Sequence, residues 1–429
     1  MKSLRSIFLL ALIALTLPSL NAALINAKDF GAIGDGKTDS TAALQAALDA
    51  ASGPDKAGQL YIPAGDYLIS KTLVIEGSRG LIVSGDGSRG FGTGVPRDGV
   101  NKKDSSTALI WIGPDGGTLL ETRWSGAGSY RDLSFCGSPS PIDKPHGRAG
   151  ILFRSVSKKG GGNMLNKLSN ISFCNAKTGI YMGGDDFLNN DSDVHYDSLT
   201  FFFLDQAFVS THRQAVNYQF DWVFALGCGT VFHFQEGGNA LINNAQLTRC
   251  RLVVWIEGGD KNSGTYLINN MRQEGGGKGP RWQLLRATTK DQAVVHFTNF
   301  DDVQWYWFKE FEDRPIEKKK PLCEIGPGVT VVFDTSIFNG PLASVTGSEK
   351  QPALLTVRDS NFNYIEPDNA VTANEWGFFK LIDNRMGGGQ LFPNTIKWPK
   401  LEAREIPANQ EHHSQVTLAP PSTVVPPGL

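Results

Sequence analysis

The sequence predicts an all-β solenoid of stacked coils forming one long domain. Three observations point to it: internal repeats of 22 to 28 residues, a composition rich in turn formers and aromatics, and no long stretch free of Gly, Pro or Asn. Ile171 to Tyr181 aligns with Leu199 to Val209 at an offset of 28, and that segment aligns with Trp222 to Phe232 at 23. Asn244 to Val254 follows at 22, and Leu241-Ile-Asn-Asn244 recurs as Leu267-Ile-Asn-Asn270 at 26. Each repeat is too short to bury an apolar face alone, so each reads as one coil stacked on its neighbours, with loops absorbing the variable offsets. Phe173, Phe201, Phe224 and Gln246 are therefore expected at consecutive levels. Neither a leucine-rich ladder nor a propeller-blade signature is present. The 48 Gly and 25 Phe among 429 residues, with only 5 Met, suit short strands and turns.

Taken in chain order, Lys2 and Arg5 precede an apolar run from Ile7 to Leu17, then Pro18 and the small Ala22 and Ala23. This is a secretory signal peptide over residues 1–22, predicting a secreted or periplasmic protein. No later apolar run is long enough to span a bilayer. From Asp29 to Thr41 the chain reads as a turn, and the Ala/Leu-rich stretch to Ala51 as an amphipathic helix capped by Asp39 or Ser40. Gly58 to Tyr67 and Thr72 to Glu76 give short strands around a Pro-Ala-Gly turn.

DFGAIGDGKTDSTAALQAAL followed by LYIPAGDYLI resembles the N-terminal cap of the pectate-lyase-like superfamily. The resemblance implies a right-handed single-stranded parallel β-helix with an N-terminal capping helix over the open end of the first coil. It also implies a carbohydrate-active protein. The superfamily includes polysaccharide lyases, polygalacturonase-type and other glycoside hydrolases, epimerases and phage tailspikes, so the motif specifies fold and leaves the reaction open. The domain is expected over residues 23–398, with a Pro-rich extended tail over 399–429 in which His412 and His413 are incidental.

A net charge of −2 gives no global field to attract nucleic acid or an anionic membrane, so neither is expected as a partner; the expected partner is a polysaccharide substrate. Cys136, Cys174, Cys228, Cys250 and Cys323 read as buried structural thiols. Cys228 and Cys250 fall one coil apart in one column, which allows either a disulfide or stacked inward thiols. Asn243-Asn244 and Asn269-Asn270 read as an internal Asn ladder.

Continuing the alignment places Asp185, Arg213 and Glu236 in one column, with His212, Gln235 and Glu257 beside it. A charged column on the outer face of a strand stack is a candidate groove for a polymer, set against the alternative of a salt-bridged exterior. The candidate catalytic residues are thus Asp185, Asp186, His212, Arg213, Glu236 and Glu257. Arg213 could neutralise a sugar carboxylate and His212 could take its C5 proton, as a lyase requires. Asp185 and Glu236, two coils apart, could instead serve an inverting hydrolase. Gly183-Gly-Asp-Asp186 resembles the paired Asp of polygalacturonase-type hydrolases, but no Gly-His-Gly or Arg-Ile-Lys follows it. Arg272, Glu274 and Trp305 are candidate substrate-binding residues, and Asp301 with Asp302 forms a second paired-carboxylate candidate. No metal ligand set is assigned. Ca²⁺ is the one cofactor the sequence admits, because Asp185 to Asp193 is rich in oxygen donors and the resemblance includes Ca²⁺-using lyases. The leading reading is a polysaccharide lyase acting by β-elimination on a pectin-like uronate glycan. A polygalacturonase-like hydrolase and a non-catalytic polysaccharide-binding β-helix are the alternatives.

Overall fold

The computed structural model describes residues 24–53, 58–89, 105–138, 148–157, 162–183, 191–257, 264–275, 282–304, 321–363, 365, 367–387 and 389–397. The expected signal peptide, Asp185, Asp186, Trp305 and the Pro-rich tail lie outside the described residues.

Short strands that alternate inward apolar and outward polar residues wind into a right-handed solenoid with three parallel faces. Sheet I begins with Leu24–Asn26, Gln59–Tyr61 and Ile82–Ser84, sheet II with Asp35–Asp39, Gly65–Ile69 and Thr107–Trp111, and sheet III with Leu73–Glu76, Thr118–Arg123 and Ile151–Val156. Later coils run through all three faces in turn. Gln206–Leu226 and Thr230–Thr248 are each one continuous strand that crosses from sheet III to sheet I to sheet II.

The bend from sheet I to sheet II is made by a single residue in the left-handed conformation. In successive coils it is Asp132, Asn170, Ser198, Trp222, Asn244, Asn270, Asn299, Thr335, Asp359 and Asp383, all with φ between 50° and 62° apart from Thr335 at 49°. Asn and Asp tolerate this region because their short polar side chains bond locally. Asn170 donates to Asp132, Asn270 to Asn244, and Asn299 to Asn270, while Thr335 donates to Asn299. The expected Asn ladder therefore exists, but it runs up the outside: Asn244 and Asn270 are exposed and bond to each other, not to interior backbone.

The core is the column of inward side chains. Phe135, Phe173 and Phe201 stack with ring centroids 5.4 and 5.5 Å apart, and Tyr196 lies on Phe220 at 4.5 Å. Such pairs add roughly 0.5–1.5 kcal/mol each beyond their buried area. The next coil departs from the sequence alignment by one residue. Leu199 pairs with Val223, so Phe201 faces Ala225 and then Leu247, while Phe224 and Gln246 sit together on the outer side. The true offset is 24, and a slip of one exchanges the two faces of a strand.

Helix α1 (Thr41–Ala51) occupies the sheet III position of the first coil. It buries Leu44, Ala47, Leu48 and Ala51. Leu44 and Leu48 share a small interior space with Leu73, Ile75 and Phe135. Gln45 accepts from the Val74 N–H and donates to its carbonyl, both at 2.8 Å, so it bonds to the edge of the first sheet III strand. The helix starts after Ser40, whose hydroxyl bonds to the Ile33 backbone; Asp39 accepts from the Thr41 N–H.

All five cysteines are free thiols. Cys228 and Cys250 are buried without a bond between them, and they donate to the Phe201 and Ala225 carbonyls at 3.7 and 3.6 Å. The stacked-thiol alternative holds.

Candidate active site

Sheet III turns a row of polar and aromatic side chains outward, because strand alternation sends Phe208, Phe232 and Val254 into the core. The outward column runs Glu121, Arg154, Tyr181, Val209, His233, Trp255, Arg286, Glu324 and Ser344. With strands about 4.8 Å apart, Arg154 and Arg286 lie roughly 24 Å apart along the solenoid. Each guanidinium lies over an aromatic ring: Arg154 is 5.7 Å from the Tyr181 centroid, and Arg286 is 5.9 Å from that of Trp255.

His233 is the centre of the row. Its Nε2 lies 2.9 Å from Glu257 Oε2, its Nδ1 lies 2.8 Å from Gln206 Nε2, and its ring stacks on Trp255 at 4.1 Å and 2°. An amide N–H pointed at Nδ1 makes that nitrogen the acceptor, so Nε2 carries the proton and donates to Glu257. Burial pushes His233 below the ordinary imidazole range, against the opposing pull of Glu257. The His233 side chain is 2% exposed and that of Glu257 is 45% exposed. Glu257 is thus the member of the chain that reaches solvent, held by an imidazole that is itself held by Gln206.

Beyond Trp255 the row continues into an open cleft of about 770 Å³ lined by Arg286, Glu324, Ser344, Thr346, Asn369 and Thr372. Arg286 Nε donates to Glu324 at 2.9 Å and its Nη2 to Gln283 Oε1 at 2.9 Å. At the other end Arg154 and Arg123 both reach Glu121.

The residues proposed from sequence divide among these surfaces. Glu257 lies in the row. His212 is 1% exposed, and its Nδ1 accepts the Gln214 N–H at 3.1 Å. The column joining Arg213 to Glu236 does not form, because the register shifts between Ser210 and Val216 and sets Thr211 opposite Glu236. Arg272 and Glu274 meet each other at 3.2 Å, with Asp301 at 4.0 Å, on the outer face of sheet II. They do not extend the same groove. Asp301 points outward and Asp302 is 1% exposed in the interior, so the two are not a carboxylate pair. Of the oxygen-rich segment, Asp191 accepts from Ser155 and Asn163, and Asp193 from Ser192 and Asn217. Among the described residues no cluster of three or more His, Cys, Asp or Glu could hold a metal ion. Gln206, His233, Trp255 and Arg286 were not proposed as site residues from sequence. Their signal was the shared outward phase of four sheet III strands, which the one-residue slip concealed.

Three parallel sheets, with a single-residue corner between sheets I and II, define a right-handed parallel β-helix. Residues 24–107 match the family model described as rhamnogalacturonase A/epimerase, pectate lyase-like. Over that segment the chain resembles the pectate-lyase-like family. It is similar to mannuronan C5-epimerase AlgE1 of Azotobacter vinelandii, 42% identical over 88 residues that make 20% of this chain and 6% of that protein. It is similar to alginate lyase 7 of the same organism, 58% identical over 45 residues, or 10% of this chain and 5% of that protein. Among solved structures it resembles DFA-IIIase from Arthrobacter chlorophenolicus in complex with DFA-III. That likeness has a TM-score of 0.54 at 10% identity and covers 88% of this chain and 99% of the other. The chain thus spans a small share of the curated relatives, and the family match ends before the His233 row begins.

Proposed function

We propose that this chain is an exported carbohydrate-active enzyme that cleaves a uronic-acid-containing polysaccharide by β-elimination, using the outer face of sheet III. The observation that carries the reading is the contact chain Gln206–His233–Glu257 laid against Trp255 and Arg286. A uronate needs a cation for its carboxylate, a platform for its ring and a base for its C5 proton. Arg286, Trp255 and Glu257 meet those three needs in adjacent coils. Arg286 offsets the sugar carboxylate and so acidifies the neighbouring C5–H. Glu257 takes that proton, the electron pair forms the C4–C5 double bond, the C4–O bond breaks, and the departing oxygen takes a proton from solvent in the open cleft. His233 orients the base and does not touch substrate, since both ring nitrogens are engaged. A sugar carboxylate must displace Glu324 from Arg286 to bind.

Two of the relatives are named for C5-epimerisation and for a lyase reaction. Both chemistries begin with loss of the C5 proton, which supports the reading. Digesting a panel of polygalacturonate, alginate and neutral glucans tests it. New ultraviolet absorbance from an unsaturated uronide is expected on an acidic polymer. Reducing ends without that absorbance would reverse the choice to hydrolysis, and no product on any polymer would favour a binding module.

A further inference from the structure

The corner between sheets I and II carries a small polar residue at each described level except one. Trp222 stands there in the left-handed conformation, with φ 62° and 49% exposure. Its neighbours in the column are Ser198 below and Asn244 above. From Thr335 downward each side chain donates to the next lower level, through Asn299 and Asn270 to Asn244. At Asn244 the series stops. Its Oδ1 accepts from Asn270, and the residue one level down is an indole, which offers an N–H donor and no acceptor oxygen to the Asn244 amide. Below, Ser198 is turned away to the Asp197 carboxylate. An exposed indole face beside an amide donor is the pairing that holds a pyranose, whose C–H face stacks on the ring while a hydroxyl or carboxylate oxygen accepts.

We infer that Trp222 and Asn244 form a second polysaccharide-binding site on the corner between sheets I and II, away from the sheet III row. The site rests on the reading that the chain acts on a polysaccharide. It holds the polymer and takes no part in bond cleavage.

Trp222→Asn separates binding from folding, because Asn suits the left-handed corner and can accept from Asn244. The variant should melt at the wild-type temperature or above it. In native gels cast with polygalacturonate or with alginate, wild-type protein should be retarded, and Trp222→Asn roughly tenfold less strongly. Activity on short uronate oligomers should be unchanged. Equal retardation of the two proteins, or no retardation of wild type in either gel, would overturn the site. Glu257→Gln should keep wild-type retardation. If it does while wild type yields no unsaturated product, the surface site stands and the proposed reaction falls.

Discussion

His233 carries the pH dependence of the row. Burial disfavours its protonated form, so the folded chain binds fewer protons than the unfolded chain once pH falls below the ordinary value of 6.5. The stability tied to a neutral His233 is therefore fully present above 6.5 and is lost as pH falls toward the depressed folded value. The slope is at most about 1.4 kcal/mol per pH unit for one proton. Urea titrations across this range should show wild type weakening on acidification, and His233→Gln flattening the fall. An unchanged slope in the variant would place the titration elsewhere. In activity, kcat/KM should stay level through 6.5, where an ordinary imidazole would gain its proton.

The connection from sheet III to sheet I is where local geometry decides what the site can contain. In Thr230–Thr248 this turn is made at Gly237, with φ 80°. A β-carbon there would lie 2.2 Å from the Ala215 carbonyl oxygen and 2.6 Å from that of His212. Gly237→Ala should therefore destabilise the fold by about 1–3 kcal/mol, read as a lower urea midpoint at constant m. A neutral effect would mean that the coil relaxes at the register shift. That shift also explains what could be read in advance. The repeat was legible because each coil returns an apolar strand at nearly fixed spacing, and the pairings Ile171 with Leu199 and Leu241 with Leu267 were correct. The phase failed at Phe201-Phe-Phe203, where three identical residues offer two registers with equal hydrophobic matches. The irregularity between Ser210 and Val216 leaves no sequence mark, so Arg213 was carried onto Glu236. Glu257 survived because the last step, from Phe234 to Ile256, has the offset of 22 that the alignment used.

The solenoid presents three long outer faces, and they differ in chemistry. Sheet I pairs His195 with Asp221, and His296 with Asp334, whose carboxyl is held below its usual range: burial opposes this, but bonds from Arg358 and His296 outweigh it. Sheet II carries Arg272 with Glu274 and Asp301 as a surface ion cluster. Exposed groups of that kind contribute about 0–1 kcal/mol and need no ligand to explain them. Among the described residues, sheet III alone joins a hydrogen-bonded carboxylate, a stacked indole, a guanidinium and an open cleft. The proposed chemistry therefore belongs to one face of three. Steady-state kcat/KM on the cleaved polymer tests this most directly, measured for Glu257→Gln and Arg286→Ala on sheet III beside Arg272→Ala and Glu274→Gln on sheet II, all four checked for native circular dichroism. The sheet III variants should lose about 10²- to 10⁴-fold, and the sheet II variants should stay close to wild type. Full activity in Glu257→Gln and Arg286→Ala, with the loss confined to Arg272→Ala and Glu274→Gln, would contradict it.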